Sequence, residues 1–372
     1  MRILVLTKRQ YTSKDLIDDR YGRLWEIPSS LAKKGNEIIG ICLSYRKKRS
    51  GLHVEEDENS MAVRWYSANT GIFYIFGLIR FFLIARKMIK QYKPDIIWSC
   101  SDTFYGVLGY YFSRKYQCRS VIDLYDNFES FASYRIPILR TLFRKAVRES
   151  DGLSCVSTNL EEHIRINYKR EKPIAVITNA VNTETFYPMD KLECRKKLGL
   201  PLDAKIIGTA GDLSKQRGGH IMFRAMLEKK DQLLNVHLAV AGSRAAGTII
   251  PESDRIHDLG ILPPGQVPVL INALDVAVVY NRTSLFGDYC FPQKLYEILA
   301  CQRPIVAADV GVMSTILKDK PYLLYTEDDM DSFVYVIKKQ LANQEKLDIT
   351  IPTWSNQADL LQKYMFSVIS NT

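Results

Sequence analysis

The sequence is poor in the features that mark several protein classes. It holds seven cysteines (Cys42, Cys100, Cys118, Cys155, Cys194, Cys290, Cys301), scattered through the chain with no C-x-x-C pair. That excludes a disulfide framework or dithiol redox pair and fits buried thiols in a reducing compartment. Five histidines (His53, His163, His220, His237, His257) show no ligand spacing. The acidic runs EEDEN (55–59) and EDDMD (327–331) sit in polar or helix-start contexts, so no metal site is expected. No nucleophile elbow with a histidine partner is present, which excludes a serine hydrolase of that type. Long hydrophobic runs are missing as well. The greasiest stretch, Gly71 to Lys90, is broken by Arg80 after nine residues, against roughly 20 for a spanning helix. The opening MRILVLTKRQ places Lys8 and Arg9 directly behind a short apolar strand, so secretion is not expected. No repeat or low-complexity linker appears.

What is present is an ordinary globular composition, 47% hydrophobic and 25% charged, on 372 residues. That length favours two domains. Apolar runs bounded by turn residues alternate with helix-length segments: ILVLT (3–7), EIIGICL (37–43), DIIWSC (95–100), SVIDLYD (120–126), GLSCVS (152–157) and PIAVIT (173–178). A second series follows with KIIGTAG (205–211), VHLAVAG (236–242), DVAVVY (275–280), PIVAAD (304–309) and YLLYT (322–326). Continuous β-branched runs alternating with helices predict parallel sheets covered on both faces. The pattern occurs twice, so the expectation is two doubly wound Rossmann-like α/β domains, 1–185 and 186–350, facing across a cleft. A closing amphipathic helix over 351–372 packs either on its own domain or on the first.

A formal charge of +10 favours polyanionic partners without choosing among them. In KIIGTAGDLSKQRGGHIMFRAML, glycines at a strand-to-helix turn let backbone N–H groups approach a phosphate, with Lys215 and Arg217 as countercharge; an ordinary turn with two solvated cations is the alternative. In GDYCFPQKLYEILACQRPIVAAD, Pro292 suits a helix start, and Lys294 and Glu297 share the face beside the apolar one. They form either a surface ion pair or a ligand grip, and a cation at a positive helix N-terminus makes sense if an anion sits there. VIDLYDNFES offers Asp126 to bind a sugar hydroxyl or orient a reacting group, or simply to cap the next segment. Gly71 to Lys90 reads as a core helix or as an interfacial one. In the interfacial reading Phe73, Tyr74, Phe76, Phe81 and Phe82 enter headgroups while Arg80, Arg86, Lys87 and Lys90 meet anionic lipid.

Four segments in order, VITNAVNTETFYP, GTAGDLSKQRGG, IHDLGILPPGQVPVLINALDVAVVY and FPQKLYEILACQRPIVAADVG, resemble the retaining glycosyltransferases of family 4. The last is closest to a subset with a P.K..E version of its helix. The resemblance implies a GT-B fold, a nucleotide-diphosphate sugar as donor substrate, no obligatory cofactor or metal, and a saccharide or lipid-linked acceptor, with no nucleic-acid partner. It also implies roles for individual residues. Arg217 and Lys294 would stabilise the leaving diphosphate, with Asp126 as the third catalytic candidate. Gly22, Arg23, Gly211, Lys215, Asp288, Tyr289, Phe291, Gln293, Leu295 and Glu297 would contact the donor, Glu297 through its ribose. Tyr289 stands where the first carboxylate of the family's glutamate pair is expected, Asp212 replaces an arginine, and Tyr125 replaces a histidine. A cytoplasmic enzyme of cell-surface polysaccharide assembly, in peripheral contact with the inner membrane face, is the expectation. A GT-B sugar-nucleotide epimerase, a non-catalytic partner subunit and a basic nucleic-acid binder are the rivals.

Overall fold

The computed structural model describes residues 1–11, 14–54, 63–71, 74–245 and 247–370. The EEDEN run and Phe73 lie outside the described residues. The chain divides into two compact units, Met1–Asn179 with Trp354–Thr372, and Ala180–Thr353.

In the first unit the strands are β1 (Arg2–Lys8), a short hairpin β2 (Gln10–Tyr11) and β3 (Lys14–Asp15), β4 (Glu37–Ser44), β5 (Gly51–Val54), β6 (Arg64–Asn69), β7 (Ile96–Ser99), β8 (Arg119–Leu124), β9 (Gly152–Cys155) and β10 (Ala175–Val176). The helices are α1 (Arg23–Lys33), α2 (Tyr74–Tyr92), α3 (Thr103–Tyr116), α4 (Pro137–Glu149) and α5 (Thr158–Tyr168). Eight strands pair in the order β10-β9-β8-β7-β1-β4-β6-β5, parallel except for β5 against β6. β1 is apolar on both faces because helices cover both: Ile3, Leu4, Val5 and Leu6 are all buried. From β1 the chain moves to one side through β4 and β6, then returns to the other through β7, so the strand order reverses between β1 and β7.

The second unit contains α6 (Lys191–Leu198), β11 (Lys205–Ala210), α7 (His220–Glu228), β12 (Val236–Ala241), β13 (Ile256–Asp258), α8 (Val267–Ala273), β14 (Val276–Val279), α9 (Gln293–Ala300), β15 (Ile305–Ala308), α10 (Val312–Ile316), β16 (Leu324–Tyr325) and α11 (Met330–Asn343). Its six strands are all parallel, in the order β13-β12-β11-β14-β15-β16, and the reversal falls between β11 and β14. Such reversals open a crevice at the carboxyl ends of the strands, where ligands of doubly wound sheets bind.

The last helix, α12 (Trp354–Ser370), belongs to the first unit. Trp354, Ala358, Leu361, Met365 and Val368 are buried. Tyr364 Oη accepts from the Leu153 N–H at 2.9 Å and donates to the Pro173 carbonyl at 2.8 Å. Asn36 Nδ2 donates to Gln362 Oε1 at 2.8 Å, just beyond α1. In α2 the aromatic residues divide. Phe81 is fully buried in the core and is not available to a membrane, which corrects that expectation, while Phe82 is half-buried with its ring tilted against Phe112 at 5.0 Å. Among the described side chains of α2, Phe76, Ile79 and Leu83 are the exposed large apolar ones.

Candidate functional site

The reversal in the second unit assembles a compact set of side chains. β11 is followed by Gly211, whose φ of 141° suits glycine, and a Cβ on Gly242 would lie 1.6 Å from the Gly211 carbonyl oxygen. Two glycines therefore let the ends of β11 and β12 meet. Beyond Gly211, Asp212 Oδ1 accepts from the Ser214 N–H at 2.9 Å and closes the turn that carries Lys215 and Arg217. Lys215 is exposed, whereas the Arg217 guanidinium lies 3.6 Å from the centroid of the Phe286 ring and 3.8 Å from Asp212 Oδ2. The carboxylate that replaces the expected arginine thus lies beside Arg217.

Next to β11, β14 delivers Tyr280, whose hydroxyl donates to the Asp212 carbonyl at 2.5 Å. Its ring carries Lys294, with Nζ 4.0 Å from the centroid. No ion pair joins Lys294 to Glu297 among the described residues; Glu297 instead accepts from Gln293 Nε2 at 3.3 Å. The surface-pair alternative is therefore not what forms. A narrow cavity of about 10 Å³ lies beneath the two, walled by Thr209, Ile271, Leu274 and Ile298. Burial lowers the Lys294 ammonium to about 8, opposed in part by Glu297. Burial likewise raises Glu297 to about 7, opposed by Lys294. The helix bearing both, α9, starts at Pro292 with no side-chain cap, so its N-terminal N–H groups and partial positive charge face the same place.

The segment between β14 and α9 is clamped. Arg282 Nε donates to Glu327 Oε1 at 2.9 Å and Nη2 to Asp328 Oδ2 at 2.6 Å, while the Thr283 N–H donates to Glu327 Oε2 at 3.0 Å. His220 Nε2 lies 3.0 Å from Asp328 Oδ1, tying in the start of α7. Gly311 has φ 57°, and a Cβ there would lie 2.5 Å from the Gly287 carbonyl oxygen. Within this segment Asp288 and Tyr289 are partly exposed, and burial raises the Asp288 carboxyl. Phe291 is buried against Tyr296 at 4.8 Å. Leu295 is a core residue whose N–H donates to the Pro292 carbonyl at 2.9 Å. Neither its side chain nor its N–H is available, and the expected donor contact there is corrected.

In the first unit Gly22 starts α1 with φ 77°. Arg23, expected beside the donor phosphates, is fully buried. Its Nε and Nη2 bind Asp123 at 2.8 and 2.7 Å, and Nη1 donates to the Ile177 and Thr178 carbonyls at 2.7 and 3.1 Å. Its side chain is an internal strut, which corrects that expectation; only backbone remains for a ligand at this turn. Asp126 follows β8 and shares its surroundings with two residues that the sequence did not single out, Lys8 and Asp102. Burial lowers the Lys8 ammonium while Asp102 and Asp126 oppose the shift. Lys8 Nζ lies 5.8 and 5.3 Å from the Tyr125 and Phe131 rings. Ser101, with φ 94°, is held by the Tyr125 hydroxyl donating to its carbonyl at 2.9 Å, and such strain persists only where the surroundings enforce it. The available signal was a lysine closing a buried strand. Among the described residues no group of three or more His, Cys, Asp or Glu is placed to hold a metal.

Comparison with known proteins covers both units. The model of "Glycosyltransferase Family 4" matches residues 24–185, and that of "Glycosyl transferases group 1" matches residues 204–343. The D-inositol 3-phosphate glycosyltransferase of Stackebrandtia nassauensis is 31% identical over 195 residues, 47% of this chain and 42% of that protein. The namesake from Corynebacterium urealyticum is 24% identical over 241 residues, 59% of this chain and 56% of its own. The matches thus span about half the length of these relatives. Among solved structures, sucrose-phosphate synthase of Thermosynechococcus elongatus superposes with a TM-score of 0.74 at 15% identity, covering 99% of this chain and 94% of that one. Anabaena HepE in complex with UDP gives 0.68 at 15% identity, covering 100% and 97%. The fold is that of these proteins, GT-B, built from two Rossmann-like units.

Proposed function

We propose that this chain is a retaining glycosyltransferase of family 4 that moves a sugar from a nucleotide diphosphate to a saccharide or lipid-linked saccharide, a reading supported by the family models over residues 24–185 and 204–343. The observation that carries the reading is Lys294, held on the Tyr280 ring beside an uncapped helix start, with no ion pair to a carboxylate among the described residues although Glu297 acts on its charge. An amine in that setting can take a further anion. The diphosphate of the donor supplies one, and Anabaena HepE, similar in fold, is solved in complex with UDP and with UDP-glucose.

In the proposed reaction the bond between the anomeric carbon and the diphosphate oxygen breaks, leaving negative charge on the diphosphate and oxocarbenium character on the sugar. Lys294, Arg217 and the N–H groups of α9 stabilise that charge. The acceptor hydroxyl attacks the same face and its proton passes to the departing phosphate, so no enzyme nucleophile is required. Glu297 binds the donor ribose. Asp288 and Tyr289 contact the donor sugar where the family expects a glutamate, and Asp126, with Lys8 beside it, orients the acceptor.

We assign the enzyme to cell-surface polysaccharide assembly on the cytoplasmic side, with peripheral membrane contact through the first unit; no described helix is long and apolar enough to cross a membrane. Incubation with a panel of nucleotide sugars, following hydrolysis, epimerisation and transfer separately, tests the reaction. Donor-dependent transfer is the expected result. Epimerisation without acceptor, or indifference to every donor, overturns it. With an accepted donor in hand, Tyr289→Phe and Asp288→Asn should change the choice of sugar more than nucleotide affinity, and unchanged selectivity in both removes them from the site.

A further inference from the structure

The strand order of the first unit reverses between β1 and β7, and the residues at those strand ends meet. The Lys8 N–H donates to Ser101 Oγ at 3.1 Å, across the reversal. Asp102 follows Ser101, and its Oδ1 accepts from the Phe104 N–H at 2.9 Å, so this carboxylate also caps α3. Tyr125 and Asp126 come directly after β8, and Phe131 from the turn beyond, its ring stacked on Phe128 at 5.2 Å. Lys8 Nζ lies 5.8 and 5.3 Å from the Tyr125 and Phe131 rings. Lys8, Asp102, Asp126 and Phe131 are each half-buried, so each keeps part of its surface open to a ligand.

One ammonium here stands against two carboxylates. Burial lowers Lys8 while Asp102 and Asp126 oppose the shift, and burial raises the Asp102 carboxyl while Lys8 opposes it. Near neutral pH the corner is therefore uncharged or singly negative, with no surplus cation. The basic run RKKR (46–49) follows β4, which lies on the other side of β1 from β7, and Lys48 within it pairs with Asp18 at 2.8 Å. A phosphate monoester carries about −1.5 to −2 at pH 7. At this corner it meets like charge, and that repulsion grows where water is partly excluded. A neutral sugar ring finds partners instead: its hydroxyls accept from the ammonium and donate to the carboxylates, and the aromatic rings cover its apolar face.

We propose that this corner is a subsite for an uncharged sugar ring, stacked on Phe131 with its hydroxyls on Lys8, Asp102 and Asp126, and that it turns away a ring bearing a phosphate. The carboxylates are the excluding groups. Without them Lys8 would offer its charge to an anion from among aromatic rings. D-inositol 3-phosphate, the compound for which the relatives are named, is a ring of the excluded kind. That the ring bound here is the acceptor of sugar transfer rests on the glycosyltransferase reading; the choice of a neutral ring over a phosphorylated one does not.

The test is calorimetric titration of the full chain in excess nucleoside diphosphate, with glucose 6-phosphate and D-inositol 3-phosphate as probes. Asp102→Asn/Asp126→Asn should bind both phosphates about tenfold or more tighter than the unsubstituted protein does, and adding Lys8→Met should remove the gain. Asparagine keeps an oxygen for the Phe104 N–H, and Asp126→Asn alone, which leaves that cap untouched, should gain in the same direction; melting curves report whether each variant is folded. Equal phosphate affinity in the unsubstituted protein and the asparagine variants overturns the proposal, as does a gain that survives Lys8→Met. With an accepted donor, glucose and D-inositol should be better acceptors than these phosphates of theirs, and transfer that prefers either phosphate overturns it too. A protein indifferent to every nucleotide sugar, whose asparagine variants still gain phosphate, would instead overturn the proposed reaction and leave the subsite standing.

Discussion

In the proposed reaction Lys294 is the residue on which the chemistry turns, and its setting makes a pH signature. Burial holds its ammonium at about 8, so it is charged at neutral pH and loses its proton as the pH rises further. An anion binds the protonated form better, so nucleoside diphosphate affinity should fall between about pH 7 and pH 9.5, by at most about tenfold per pH unit. Lys294→Arg, cationic throughout, should flatten the profile; calorimetric titration across the range checks both. A second residue-scale prediction concerns Glu129. Burial pushes its carboxyl up, but hydrogen bonds led by His163 and Tyr168 outweigh that and hold it at about 2. Its folded value lies below the unfolded one, so the stabilisation is complete above about pH 4.5 and is lost as the pH falls towards 2. Glu129→Gln should cost on the order of 1–3 kcal/mol at pH 7 and progressively less as the pH drops below 4.5, read as a closing gap between melting curves. Sequence could mark Lys294 and Glu297 as a pair, but not that Tyr280 would carry the lysine, because that contact joins a strand end to a helix separated in sequence. Arg23 misled for the same reason. Its partners Asp123, Ile177 and Thr178 are distant in the chain.

At the scale of elements, the apolar runs predicted every long parallel strand except β6, and the reason for that miss is visible. RWYSAN (64–69) alternates polar and apolar residues like a surface strand, yet it lies between β4 and β5, where burial comes from neighbours rather than from its own composition. The strand β10 is shorter than the run PIAVIT predicts, since only Ala175 and Val176 pair with β9. Glycine signals at β11 were legible as a phosphate-type turn, but the reason for Gly242 was not. Its backbone touches the carbonyl of Gly211, a contact between strand ends. Gly242→Ala combines an unfavourable φ of 143° with that overlap, and should cost about 1–3 kcal/mol or more in urea unfolding. It should also weaken nucleotide binding, because the displaced turn holds Arg217. A fully stable variant with unchanged nucleotide affinity would mean that the strand ends are looser than described.

At the scale of the molecule, two doubly wound units were readable from the twofold run of strands, whereas the place of the last helix was not. Periodicity gives α12 an apolar face without saying which surface it meets; the Leu153 and Pro173 backbone groups on the Tyr364 hydroxyl say it. Deleting residues 354–372 would uncover α1 and the edge of the first sheet. Six of its residues are buried, and Leu361, Met365 and Val368 alone, at roughly 1.5–3 kcal/mol each, compare with a whole-domain stability of about 5–15 kcal/mol. The truncated protein should lose the cooperative unfolding transition of its first unit by calorimetry while residues 180–353 keep theirs. The reaction itself is tested most directly by the turnover of Lys294→Ala beside the unsubstituted protein, with an accepted nucleotide sugar and acceptor. The account predicts a rate lower by about 10²- to 10³-fold with thermal unfolding unchanged, and near-equal turnover of the two proteins would contradict it.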